Sequence, residues 1–268
     1  MKAKCFFMTA AAIAGFMIVS QGGPTALASP ESLNQSGTVS VKGSPVTEPV
    51  DPENPEDVVD PDDSPATDGQ LRIDYVSALD FGENKLTKTG REYLALAQQF
   101  SGEIGPRGNY IQITDQQADS SGWTLQVKQN YQFMNPIIQN EKERELIGAV
   151  LSLDKGWANS SGISEAPTVM RETIAINSIG SAYEVATAKA GSGKGVWTIT
   201  FGASETNSSN QPVTLKPVVD QSGKPVIDSM YQKPVYSNSA ITLTIPETTK
   251  IYPVDYQTEI TWLLAKLP

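Results

Sequence analysis

The chain has 268 residues, a formal net charge of −10, no histidine and a single cysteine, Cys5. Without histidine, and without cysteine after residue 5, it lacks the ligands of a zinc site and the side chains of Ser-His-Asp or Cys-His catalysis. Calcium and carboxylate chemistry remain open, and no cofactor is indicated.

Ten acidic residues and one basic residue lie in 29–68, against 20 acidic and 17 basic residues in 69–268. Because the longer part is nearly neutral, we expect no nucleic-acid partner.

The N-terminus has the features of a secretory signal peptide. Lys2 and Lys4 precede an apolar run over residues 6–19, and small residues up to Ala28 follow it. We predict cleavage after Ala28, so that residues 1–28 are the signal and the mature chain is secreted. No later segment has the roughly 18 apolar residues of a membrane span. Because the sequence also has no Leu-Pro-x-Thr-Gly sorting signal, we expect any attachment to the cell surface to be non-covalent.

Residues 29–69 are rich in proline and acidic residues and contain few large apolar side chains. A segment of this composition cannot bury enough surface to offset the entropy that ordering would cost. We therefore predict a disordered acidic, proline-rich linker that acts as a solvated spacer. A segment that docks on a partner or collects calcium is the alternative.

From residue 70 onward, apolar and polar residues alternate in short runs separated by clusters of Gly, Pro, Asn and Ser. Alternation with a period of two predicts β-strands. Eight runs in about 200 residues predict an all-β domain over residues 70–268, a sandwich or barrel. The runs are Ile111–Ile113, Trp123–Val127, Ile147–Leu153, Val185–Ala188, Trp197–Phe201, Val213–Val219, Ile241–Ile245 and Ile260–Leu264.

One short helix is predicted as an exception, over residues 90–100. The stretch contains good helix formers, and four apolar residues fall on one helical stripe. These residues are Tyr93, Leu96, Ala97 and Phe100.

Two further patterns were weighed as sites. Residues 190–195 (Ala-Gly-Ser-Gly-Lys-Gly) resemble a phosphate-binding loop but lack the glycine that opens it and the Ser or Thr that closes it, so we predict a glycine-rich hairpin. Two carboxylates could hydrolyse a glycosidic bond. No spacing selects such a pair, and we expect the protein not to be an enzyme. The acids nearest the patterned segments are Asp74, Asp80, Glu83, Asp115, Asp119 and Glu259.

Two Trp-x-Leu pairs lie about half the chain apart, Trp123 with Leu125 and Trp262 with Leu264. Alternate residues of a strand share a face, so each pair lies among other apolar side chains. The simplest interpretation places both indoles in the core, less strongly for Trp123 because its strand follows a polar loop over residues 115–122. Stacking on a sugar or a partner is the alternative, and it would require exposed rings. The other residues on these faces are Val127 for the first pair, and Tyr256 and Ile260 for the second.

The C-terminal segment fits the longer pattern Tyr-x-x-x-[Leu/Ile/Val]-Thr-Trp-x-Leu-x-x-x-Pro. Gly122-Trp123-Thr124-Leu125 supplies a partner motif, and similar segments begin at about Leu79-Asp80-Phe81-Gly82. With these motifs the chain resembles the WxL domain of Gram-positive bacteria. The terminal pattern is carried by Tyr256, Ile260, Thr261, Trp262, Leu264 and Pro268.

The resemblance implies an immunoglobulin-like β-sandwich in a secreted protein that is held non-covalently at the cell wall through peptidoglycan. It also implies partners, namely membrane-anchored surface proteins that bind WxL domains and other WxL proteins. Two functions therefore stay open at this point. The domain is a wall-binding module, or it is an interaction subunit that docks on a membrane-anchored partner protein.

Overall fold

The computed structural model describes residues 44–119 and 121–268; the predicted signal peptide and residues 29–43 of the predicted linker lie outside them. Within this part of the chain no helix forms, and accordingly none is long and apolar enough to cross a membrane. The strands, in chain order, are β1 Leu71–Val76, β2 Glu92–Leu96, β3 Asn109–Asp115, β4 Trp123–Gln129, β5 Val150–Leu153, β6 Gly156–Asn159, β7 Thr168–Val169, β8 Ile174–Ile176, β9 Ala182–Ala188, β10 Gly195–Phe201, β11 Leu215–Pro217, β12 Tyr236–Thr244 and β13 Ile260–Lys266.

The strands form three antiparallel sheets. The first has the order β1-β3-β10-β6 and the third the order β13-β4-β9-β7. The second has the order β11-β12-β5-β8, and β2 pairs with β12 along the other edge of that strand. The chain passes repeatedly from one sheet to another, so each sheet contains strands from distant parts of the sequence.

The main hydrophobic core lies between the three sheets. It combines side chains such as Ile113 from the first sheet, Leu151 from the second and Trp123 from the third, each at most 1% exposed. A smaller cluster around Phe133 and Leu146 extends this core toward one end. The prediction of an all-β domain is confirmed, and the arrangement of antiparallel sheets is consistent with a β-sandwich.

Each of the eight alternating runs contributes a strand, and β4 shows why the pattern was informative. Trp123, Leu125, Val127 and Gln129 are buried, whereas the three residues between them are only partly buried. The side chains of one face pack on the core and those of the other reach toward solvent, which is the condition that produces alternation.

The predicted helix over residues 90–100 is wrong. Glu92–Leu96 forms β2, which pairs with β12 through Leu94 opposite Thr242 and Leu96 opposite Ser237. Helix propensity is a weak local preference, and the backbone pairing with the two halves of β12 outweighs it.

The prediction of a disordered linker over residues 29–69 is wrong for its described part. Residues 47–64, which we call the N-terminal strap, cross the outer face of the first sheet. The backbone N–H of Val50 donates to Gln112 Oε1 at 2.8 Å, and Gln112 Nε2 donates to the carbonyl of Glu48 at 3.0 Å. The strap explains why all seven residues of β3 are buried, including the polar ones on its outer face.

A buried ion pair anchors the strap. Arg107 Nε and Nη2 donate to the two carboxylate oxygens of Asp51, each at 2.8 Å. The carboxylate of Glu53 accepts hydrogen bonds from the backbone N–H and the hydroxyl of Ser204 at 2.6 and 2.5 Å. Burial raises the pKa of Asp51, but hydrogen bonds from Arg107 and from the Glu53 backbone, together with the charge of Arg107, bring it below its usual value. Composition could not show this pairing, because the partners lie about 50 to 150 residues away in sequence.

Candidate functional site

The two Trp-x-Leu motifs lie on neighbouring strands of the third sheet. β4 and β13 are antiparallel, and their register places Leu125 opposite Leu264 and Val127 opposite Trp262. This pairing joins β13, the last strand, to β4 from the middle of the chain. It holds the C-terminal strand in the third sheet.

Trp123 is a core residue. Its side chain is 0% exposed, and its indole N–H donates to the carbonyl of Gly193 at 3.1 Å. Gly193 lies in the glycine-rich segment and has φ +72°; a Cβ there would meet Trp123 Nε1 at 2.8 Å. The segment joins β9 of the third sheet to β10 of the first, so the prediction of a hairpin is wrong. Its glycines let the backbone turn close to the indole.

Trp262 is only partly buried. One side of the side chain packs against the main core, where its ring lies 6.5 Å from that of Phe201, and the other side borders a groove. Sequence reasoning favoured the core for Trp262 more strongly than for Trp123. The structure reverses this order, because β13 is an edge strand whereas β4 lies inside its sheet.

Apart from Pro268, the remaining predicted site residues lie in the core or at the groove. Leu125 is fully buried, and Leu264 packs against the core. Pro268 is exposed at the end of the chain, next to Leu267, whose N–H donates to the carbonyl of Gly122 at 3.0 Å. The residues that border the groove are Tyr256, Ile260, Thr261 and Trp262.

The groove has a volume of about 1200 Å³ and runs between β13, the loop over residues 77–86 and the segment over residues 251–258. Its lining combines six aromatic side chains with aliphatic ones and continues the smaller hydrophobic cluster. Phe81 and Phe133 stack edge to face with centroids 6.1 Å apart, which fixes the base of the groove. Its aromatic residues are Phe81, Tyr93, Phe133, Tyr252, Tyr256 and Trp262.

Hydrogen bonds hold several of these groups in place. The Tyr256 hydroxyl accepts the backbone N–H of Tyr252 at 2.9 Å. Asn130 Nδ2 donates to Thr261 Oγ1 at 2.8 Å, and the Asp80 carboxylate accepts the N–H of Gly82 at 2.8 Å, which closes the turn beside Phe81. A groove with positioned aromatic rings and a few fixed polar groups is the usual form of a small-ligand site.

The strap completes one wall of the groove. Ser64 Oγ donates to the carbonyl of Val76 and accepts its N–H, at 2.9 and 3.0 Å. Asp62, Asp63 and Ser64 consequently border both the groove and a second depression of about 790 Å³ on the other side of the strap.

The chemical groups of the groove suit recognition better than metal binding. Within residues 44–119 and 121–268, no group of three or more acidic or thiol side chains could hold a metal ion. The carboxylates considered as acid and base include Asp74, which is paired with Arg72 at 2.8 Å. Burial raises the pKa of Asp74, with Thr114 and Arg72 opposing that effect.

Sequence reasoning identified β13 and Tyr256 but missed the rest of the groove. The loop over residues 77–86 and the segment over residues 251–258 have no periodic pattern, so apart from Tyr256 nothing local marked them as walls of a site. A signal was present in Leu79-Asp80-Phe81-Gly82, which the family resemblance included, but its role depended on contacts with β13 that the sequence does not show.

These features define a β-sheet surface module with an open aromatic groove beside its C-terminal strand. The chain matches the family model described as WxL domain surface cell wall-binding over residues 28–268, nearly its whole length. It therefore belongs to the WxL domain family, whose members bind the cell wall at the cell surface. No curated protein and no solved structure matched the chain.

Proposed function

We propose that this protein is secreted and attaches non-covalently to the cell wall by binding peptidoglycan in the groove. The observation that carries the proposal is the set of aromatic side chains that line the groove together with Trp262, which lies on the strand that bears the terminal motif. Sugar rings present C–H groups on their faces that pack against aromatic side chains, and the N-acetyl groups of wall glycans add apolar methyls and amides. The volume of the groove accommodates a fragment of several sugar or amino-acid units.

The proposed role is binding without catalysis. The carboxylates of Asp80 and Asp62 accept hydrogen bonds from the Gly82 N–H, the Tyr75 hydroxyl and the Gln98 amide, which fix their positions as contacts at the edge of the groove. Purified protein should therefore release no reducing ends from peptidoglycan. Sustained release above a buffer control would contradict this part of the proposal.

The proposal is tested by retention on insoluble peptidoglycan stripped of protein and teichoic acid. The mature chain, residues 29–268, should sediment with this material at physiological salt. Tyr252→Ala removes an aromatic ring from the groove and should reduce retention about tenfold, the effect of about 1.4 kcal/mol. Tyr131→Ala is the matched control, because Tyr131 is 40% exposed and lies outside the groove. Equal retention of both variants, or no retention of the parent chain, would contradict the proposal.

Docking on a membrane-anchored surface protein is the second candidate function. It is favoured by β13, which lies at the edge of the third sheet and pairs only with β4 among the described strands. Leu263 on this strand is 38% exposed. An exposed edge can accept a strand from another protein. This function predicts retention on intact cell surfaces, loss of retention after protease treatment, and none on stripped peptidoglycan.

A further inference from the structure

The rim of the groove is strongly acidic. Five carboxylates border it, against one basic side chain, Lys85. Four of the five are exposed, and within the described residues none of them lies within 4 Å of a Lys or Arg nitrogen. The five are Asp62, Asp63, Asp80, Glu83 and Asp255.

Some acidic residues away from the rim, unlike those on it, have a basic partner. Elsewhere in the described chain, Asp51, Asp119 and Glu143 each lie within 2.8 Å of a basic nitrogen. At the rim, Asp62 is instead oriented by neutral donors, the hydroxyl of Tyr75 at 2.7 Å and the amide of Gln98 at 3.2 Å. These contacts position the carboxylate without neutralising its charge.

The acidic field extends beyond the groove. The second depression, which shares Asp62 and Asp63, adds Glu48, Asp60, Glu103 and the Arg72-paired Asp74, and no Lys or Arg side chain borders it. Charges of one sign lining neighbouring concave surfaces raise the local concentration of ligands of the opposite sign. The groove is therefore suited to a cationic ligand and unsuited to a polyanion.

Aromatic rings under the acidic rim select the kind of cation. An ammonium group is attracted to the face of a Tyr or Trp ring, while its alkyl chain packs on apolar surface. The chain provides an example beside the groove, where Lys250 Nζ lies 4.8 Å from the centroid of Tyr252 and 2.8 Å from the carboxylate of Glu143. A primary amine on a short apolar chain would make the same two kinds of contact within the groove.

We infer that the groove recognises a free primary ammonium group on the stem peptide of peptidoglycan, such as the side-chain amine of a diamino acid that has not been cross-linked. This inference rests on the proposed function and names the chemical group that the same site takes. The ammonium lies against the carboxylates of the rim, and the neighbouring peptide or sugar lies on the aromatic rings. Teichoic acids carry a phosphate in each repeat, and the rim would repel them.

The test measures retention of the mature chain on stripped peptidoglycan before and after acetylation of its free amines with acetic anhydride. Acetylation converts each ammonium into a neutral amide and should lower retention about fivefold or more. The double variant Asp80→Asn with Glu83→Gln should bind the untreated material as weakly as the parent chain binds the acetylated material. Asn at position 80 keeps the oxygen that accepts the Gly82 N–H, so the turn is preserved.

The matched control is the double variant Glu172→Gln with Glu205→Gln, which makes the same change in charge at exposed positions outside the groove. It should bind like the parent chain and remain sensitive to acetylation, whereas the rim variant should lose that sensitivity. Circular dichroism on all three proteins confirms that they are folded.

The outcomes separate the two proposals. Equal retention before and after acetylation, or full retention of the rim variant, would overturn the inference and leave peptidoglycan binding in place. Failure to bind either material would overturn both. On walls that still carry teichoic acid, mild alkali removes alanyl esters but leaves amide-linked peptides, and it should have no effect. A loss of retention after alkali would assign the amine to teichoic acid and would contradict the inference.

Discussion

The two tryptophans of the repeated motif have different roles in the structure, although both occur in the same Trp-x-Leu pattern. Trp123 is surrounded on all sides and hydrogen-bonded to the backbone of the glycine-rich segment. Trp262 packs against the core with one side and borders the groove with the other. The sequence predicted that both rings contact the core, but it ranked their burial in the wrong order, because burial depends on which strand lies at the edge of the sheet.

Truncation of the two residues should therefore give different results. Trp123→Ala leaves a large cavity in the core and should lower the free energy of unfolding by about 3–5 kcal/mol. Trp262→Ala should cost less, about 1–2 kcal/mol, and should leave a folded protein with reduced retention on peptidoglycan. Urea unfolding followed by circular dichroism measures the first effect, and sedimentation with the wall material measures the second.

A folded Trp262→Ala variant that binds like the parent chain would contradict a role for this ring in the groove. Equal loss of stability in the two variants would contradict the difference in their burial.

At the scale of elements, the N-terminal strap is the feature that composition described least well. Its prolines and acidic residues predicted a solvated spacer, yet Asp51 and Glu53 are 1% and 3% exposed. Proline keeps the chain extended, which suits a segment that lies across a sheet without forming regular strands. The charges are tolerated because Arg107 and Ser204, which are distant in sequence, pair with them.

The ion pair of the strap should make stability depend on pH at the acidic end. The pKa of Asp51 is lower in the folded chain than the value of about 3.9 expected when unfolded. The ionised Asp51 therefore contributes fully to the free energy of unfolding above about pH 4. This contribution is lost as the pH falls through the pKa that Asp51 has in the folded chain. Asp51→Asn should cost about 3 kcal/mol at pH 7, because Arg107 loses its closest partner in a buried site, and the cost should shrink toward pH 2.

Thermal unfolding of both proteins between pH 2 and pH 7 checks this expectation. Asp57→Asn is the control, since Asp57 lies on the same segment but is exposed. A cost for Asp51→Asn that does not change with pH would show that the ionised pair is not what holds the strap.

The elements differ in how far the sequence determined them. Strands with one face on the core, such as β4, β5 and the second half of β12, were predictable because their alternation records that environment. The segment over residues 90–100 satisfied a helical pattern equally well, and only pairing with β12 decided its structure. Short strands such as β7 and β8 have too few residues to show a period.

At the scale of the whole molecule, the fold is a set of three sheets around one core, closed by the pairing of β4 with β13. The family could be predicted because each of its motifs is a short continuous stretch of sequence, on β4 and around β13. The groove could not, because it combines the strap, a loop before β2 and the segment before β13. Each of these parts has an irregular backbone, and only the folded chain brings them together.

The central claim is that wall peptidoglycan occupies the groove beside Trp262, and tryptophan fluorescence tests it directly. Of the four tryptophans, Trp123, Trp157 and Trp197 are 0%, 3% and 5% exposed, so Trp262 should dominate quenching by acrylamide. Soluble peptidoglycan fragments, added to saturation, should cover this ring and lower the quenching constant about twofold or more. Unchanged quenching at fragment concentrations that displace the protein from insoluble peptidoglycan would show that the wall binds elsewhere and would contradict the claim.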